Sequence, residues 1–168
     1  MEWFKLRIEL SVTSRLIPTT KGLSRLRLSD CPSSSSTDTS FDHSQWNAVL
    51  KASVSPAAAT INGVTGVSTV DYGAIASDAR FDAYLNALAQ ADIEKLPPIE
   101  RFALWMNAYN ALAISLINKH EKATGAAVDS INQLSTKAVK VWDMAAGVVG
   151  GKEISLGEIE HREVCASA

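Results

Sequence analysis

Cysteine is nearly absent: Cys31 and Cys165 are the only two in 168 residues. That excludes a disulfide framework. Cys31 lies in a Pro/Ser-rich stretch and Cys165 in the last four residues, so a bridge between them is disfavoured and a reducing compartment is the default. Charge of one sign is also lacking. A formal net charge of −2 gives no case for nucleic-acid or membrane-surface binding. No uninterrupted apolar run approaches the length of a membrane span. Histidine is scarce, and His43, His120 and His161 show no metal-ligand spacing with one another. No metal and no cofactor is therefore expected.

What is present suits a globular chain. An apolar content of 46% with 20% charged residues is ordinary, and the length fits one domain with a tail. The tail is the N-terminus. Residues 1–30 hold Lys5, Arg7, Arg15, Lys21, Arg25 and Arg27 against Glu2, Glu9 and Asp30. Met1 to Leu10 alternates charged and apolar side chains, as a strand or a poor amphipathic helix does, and Ser33–Thr37 reads as a disordered linker. Residues 1–40 are thus expected to be a disordered leader, and 41–168 the domain. The basic, Ser/Thr-bearing leader allows organelle targeting, but Glu2 and Glu9 count against it; the cytoplasm is the default location.

Within the domain, punctuation predicts the elements. Asp42 caps a helix through Trp46, Val49 and Leu50, and Asp78 opens another carrying Phe81, Tyr84, Leu85 and Leu88. Val67–Tyr72 alternates like a short strand after a Gly/Ala/Thr-rich run. Pro97 and Pro98 suit the first turn of a long helix over about Ile99–His120. Ser130–Trp142 reads as a shorter helix or turn, and Val148–Ile154 as a hairpin around Gly150-Gly151. Ser155-Leu-Gly-Glu158 is a capping box starting a last helix. The fold class is α+β: a mainly helical single domain with a small sheet or hairpin.

Trp105-Met-Asn107-Ala-Tyr109-Asn110-Ala is the stretch that departs from simple core building. With Trp105 at the origin of a helical wheel, Phe102, Tyr109, Leu112 and Leu116 form the main apolar stripe, extended by Met106, Ala113 and Ile117. Arg101, Ala108, Ser115 and Lys119 share the arc that should meet water. Asn110 falls almost opposite, so it should be nearly inaccessible. Asn107 and Glu100 lie beside it. The functional reading is a polar cluster lining a cleft, in which the amides orient a substrate or a partner residue. The structural reading, which buried asparagine serves more often, is that each amide satisfies backbone groups of neighbouring loops.

Two motifs fall short. Gly147–Lys152 lacks the glycine at 146 and the hydroxyl at 153 that a phosphate loop needs, so a hairpin turn is favoured. Glu158-Ile-Glu160-His161 is a single Glu-x-x-His without the second copy a carboxylate-bridged metal pair requires. His161 is then either a general base or, as favoured, a helix-surface residue.

Four stretches together resemble the DUF547 family, a domain of unknown function. They are Phe41-Asp-His-Ser-Gln-Trp46, Val70-Asp-Tyr72, Ile99-Glu100-Arg-Phe-Ala-Leu-Trp105-Met-Asn107-Ala-Tyr109-Asn110-Ala, and Ile154-Ser-Leu-Gly-Glu-Ile-Glu160-His161. The resemblance covers about 41–161. It implies that a segment after His161 is missing, with Cys165-Ala-Ser brought forward, so the domain is expected to be C-terminally incomplete. Two functions stay open. One is a binding or scaffolding module, the favoured reading, with a protein as the partner class. The other is a thiol-dependent hydrolase or transferase in complete members. There Cys165 would be the nucleophile and His161, or a histidine of the missing segment, the base, while Glu100, Trp105, Asn107, Tyr109, Asn110 and Glu160 would form the binding cluster.

Overall fold

A computed structural model describes residues 40–61 and 64–164. Expectations for the leader and for Cys165 lie outside the described residues. The architecture is α+β, mainly helical, with two antiparallel two-stranded hairpins.

Helix α1 spans Ser44–Ser53. The N-cap position is His43, without a side-chain cap; Asp42, the expected cap, sits one residue earlier and accepts the Ser44 amide at 2.8 Å and the Ser44 hydroxyl at 3.0 Å. The chain continues into β1, Val54–Ile61, which pairs with β2, Val64–Val70. Only part of this was expected. The sequence places one strand over Val67–Tyr72, whereas Asp71 leaves the sheet and caps α2, Tyr72–Ala76, by accepting the Ala74 amide at 2.9 Å. Strand β1 escapes notice because Pro56 and Ala57–Ala59 are poor strand formers. A two-stranded ribbon nevertheless tolerates proline, because both of its strands are edges.

Helix α3, Ala79–Ala89, starts where Asp78 accepts the Arg80 amide. Its buried Phe81, Tyr84 and Leu88 are spaced for one face. A single 3-10 turn at Ile93–Lys95 leads to α4, Pro98–Thr124, with Pro98 in the first turn. Two further 3-10 turns, Ile131–Leu134 and Val141–Asp143, replace the expected shorter helix. Strands β3, Ala145–Val149, and β4, Lys152–Ser155, form the hairpin around Gly150 and Gly151. The capping box is complete: Ser155 Oγ accepts the Glu158 amide at 3.1 Å, and a Glu158 carboxylate oxygen accepts the Ser155 amide at 3.0 Å. The helix it opens, α5 over Leu156–Glu158, widens at once into a π-helical turn, Ile159–Val164.

The core surrounds the middle of α4. Leu104, Ala108, Ala111 and Ile114 are wholly buried there. Trp46 from α1 stacks on Tyr84 from α3 with ring centroids 5.5 Å apart, and it also meets Phe81 at 6.0 Å. Ile75, Val141, Val149, Ile154, Leu156 and Ile159 close the same cluster.

This packing corrects the wheel. Ala108 and Ser115, expected to face water, are 0% and 4% exposed. Met106, assigned to the apolar stripe, is 41% exposed, and Ile99 is 72% exposed. Arg101 is half-buried rather than exposed, and Asn110 is half-buried rather than inaccessible. Lys119 is exposed as expected. The cause is size. Small side chains such as Ala108 and Ser115 are cheap to bury under a neighbouring element, and a polarity wheel cannot see that. Among the described residues, no helix is long and apolar enough to cross a membrane.

Candidate functional site

Gly150 and Gly151 both have positive φ, 58° and 75°, the geometry of a type I′ hairpin turn. Their amides do more than close the hairpin. Gly150 N–H donates to the Leu88 carbonyl at 2.9 Å, and Gly151 N–H donates to the Ala89 carbonyl at 2.7 Å. Those carbonyls belong to the last turn of α3, beyond the regular helical ladder, where the Leu88 carbonyl otherwise accepts only tight-turn amides such as Ala91 N–H at 3.2 Å. The hairpin turn is thereby fixed against the end of α3.

A cleft of about 640 Å³ opens beside this junction. Its walls are the Ala89–Glu94 loop, the hairpin turn from Val149 to Lys152 with Ile154, and the first turns of α4 through Arg101 and Trp105. That volume lies within the range of small-molecule and peptide-anchor sites. Trp105, 4% exposed, has no hydrogen-bond partner for its indole N–H. Arg101 Nε is likewise buried and unpartnered, while its Nη2 makes only long contacts to the carbonyls of Leu96, 3.4 Å, and Glu94, 3.5 Å. Asp92 is engaged by Lys95 at 2.5 Å, and that hydrogen bond holds its carboxyl below the ordinary range. Two residues of the cleft wall thus carry buried donors without acceptors, and an unmade buried hydrogen bond is costly.

A second polar group sits at the start of α1. His43 Nδ1 lies 2.8 Å from the Tyr84 hydroxyl and 3.4 Å from Asn107 Nδ2. An amide nitrogen can only donate, so Nδ1 is the acceptor, Tyr84 donates to it, and the ring proton is on Nε2. Nε2 is buried without a partner. Phe41 packs edge-on against the imidazole at 4.9 Å. Burial lowers the His43 pKa, against the opposing pull of Asp42, so the ring is neutral. Burial also pushes the Tyr84 phenol far up. The chemistry of this group is that of a pin, tying the entry of α1 to α3 and α4.

The sequence-predicted site residues do not come together in one place. Trp105 lines the cleft, and Asn107 joins His43 and Tyr84. Tyr109 is half-buried and senses the charge of Glu160, which adds to burial in raising its pKa. Glu100 and Asn110 are half-buried and make no side-chain hydrogen bond among the described residues. His161 is exposed, and Cys165 lies outside the described residues. Sequence reasoning passed over His43 and Tyr84 because 41 residues separate them. It read Arg101 as a solvent residue, and Lys152 and the glycine pair only as a turn.

Residues 93–167 match the family model DUF547, described as a protein of unknown function. The match contains the third and fourth of the four stretches noted in the sequence, and the first two precede it. It is consistent with a DUF547 domain. No curated protein and no solved structure matches the chain.

Proposed function

Taking a DUF547 domain as the premise, we propose that this protein is a binding module whose ligand enters the cleft between the end of α3, the start of α4 and the β3–β4 turn. One observation carries the reading: two buried donors, Arg101 Nε and Trp105 Nε1, belong to residues that line this cleft and have no acceptor. Native proteins pair such groups, and a ligand acceptor would complete the pairing. Part of the wall is backbone held by hydrogen bonds at the β3–β4 turn, and Val149 and Ile154 in it belong to the packed core, which suits a preformed site. The thiol-enzyme alternative has less support. A general base must reach its proton donor, yet His161 is solvent-exposed and His43 already spends Nδ1 inside the fold.

Fragment mixtures titrated into the isotope-labelled full chain test this by amide and indole NMR shifts. The expected result is a cluster of shifts at Trp105, Gly150, Gly151 and Ala91. Fragments that gather elsewhere, or nowhere, overturn it. Alkylation of Cys165 at mildly acidic pH many-fold faster than in a free peptide, abolished by His161→Ala, would favour the thiol enzyme instead.

A further inference from the structure

The binding reading leaves the ligand unnamed, and the chemistry of the cleft walls narrows it. Arg101 and Trp105 stand four residues apart on α4, so their side chains share one helical face. Guanidinium and indole N–H groups donate and never accept. Whatever meets both must be an acceptor on two sides. Across the cleft, Lys152 at the start of β4 is exposed and has no carboxylate within ion-pair distance among the described residues.

The charge balance then sets the valence. Arg101 and Lys152 line the cleft against Asp92 and Glu94. Asp92 is already neutralised by Lys95. One positive charge is left over, which suits a monoanion better than a phosphate dianion. The wall also holds apolar side chains, Ile93, Val149 and Ile154, alongside the polar Gln90. A ligand matching all three features carries a carboxylate next to an apolar body.

We propose that the cleft binds a carboxylate attached to an apolar group, such as the end of a peptide, with Arg101 and Trp105 donating to its two oxygens and Lys152 supplying charge. This rests on the binding reading above. The planar carboxylate suits the guanidinium edge, and its charge strengthens each hydrogen bond it accepts. The aliphatic wall takes the neighbouring side chain. A terminal carboxylate and an acidic side chain share this chemistry.

The test uses the full chain and four probes: N-acetyl-leucine, its neutral analogue N-acetyl-leucinamide, N-acetyl-aspartate α-amide and inorganic phosphate. The readouts are binding by NMR titration and the Trp105 indole N–H resonance, assigned through Trp105→Phe. N-acetyl-leucine should move the Trp105, Gly150 and Gly151 resonances and bind about tenfold or more tightly than the amide, the ratio expected for a charged hydrogen bond. The aspartate probe separates sources. Binding weaker than N-acetyl-leucine assigns the site to chain termini, and stronger binding assigns it to acidic side chains, the carboxylate standing in both cases. Trp105→Phe and Arg101→Gln should each weaken N-acetyl-leucine about tenfold or more. Both residues are part of the packed structure, so Lys152→Gln, at an exposed site, provides the independent check. It should weaken binding several-fold and flatten the salt dependence. Equal affinity for acid and amide, tighter binding of phosphate, or wild-type affinity in Lys152→Gln together with Trp105→Phe would overturn the carboxylate assignment. If fragments bind the cleft while acid and amide are equivalent, only the ligand class fails. If nothing binds there, the binding function fails with it.

Discussion

Replacing Gly150 and Gly151 separately by alanine dissects the junction on which the cleft depends. Both glycines hold positive φ, which costs an L-residue about 1–2 kcal/mol. Alanine also stiffens the unfolded chain, returning about 0.4–1 kcal/mol. At Gly151 a Cβ would meet nothing within 4 Å, so the net loss should be about 1 kcal/mol. At Gly150 the Cβ would fall 2.6 Å from Ile93 Cδ1, 3.2 Å from Ile93 Cγ1 and 3.3 Å from the Ala91 carbonyl oxygen. The first contact is well inside van der Waals distance and demands movement. Ile93 is half-buried and ends in a rotatable methyl, so the overlap should add about 1–2 kcal/mol, the lower part of the overpacking range. Gly150→Ala should therefore lose about 2–3 kcal/mol in total.

Urea unfolding followed by far-UV circular dichroism measures both variants, with stability differences taken at a common slope. Ile93→Ala should relieve the clash, so the double variant with Gly150→Ala should lose less than the two single changes added together. An equal loss at the two glycines, or strict additivity with Ile93→Ala, would refute the placement of the turn against the Ala91–Ile93 loop.

Two further outcomes follow from local geometry. Ser155→Ala removes the acceptor of the Glu158 amide and half of the capping box, and it should cost about 1 kcal/mol in the same unfolding assay, with no loss refuting the cap. The His43 pKa is lowered by burial, so the unfolded state takes up a proton first as pH falls. The stability contributed by neutral His43 is complete above the unfolded value near 6.5 and is lost as pH drops from there through the folded value. Melting temperature should fall between neutral and mildly acidic pH, and His43→Asn should flatten that slope; an unchanged slope would show that His43 is not the titrating group.

The candidate site was only half legible in the sequence. Trp105 and Asn107 stood out as polar-tipped residues in an apolar run, and both occupy consequential positions. Helix α4 spreads these residues around its axis, so Trp105 lines the cleft while Asn107 meets His43. Arg101, assigned to water, lies in the cleft wall because the loop carrying Glu94 and Leu96 folds over it. The wheel describes one helix, whereas burial is a property of a helix and everything packed on it.

By itself, the sequence determined the local boundaries of this protein. The Asp78 cap, the proline start of α4, the glycine turn and the Ser155–Glu158 capping box each work across one to three residues, so a linear reading captures them. The mainly helical α+β class follows from the same signals. Tertiary structure alone decided which face of α4 is buried, that β1 pairs with β2, and that His43 meets Tyr84 and Asn107. It also decided that a hairpin turn caps α3 and so builds one wall of a cleft. These contacts join segments tens of residues apart, and their energies depend on shape and desolvation at the meeting surface, which no local pattern encodes.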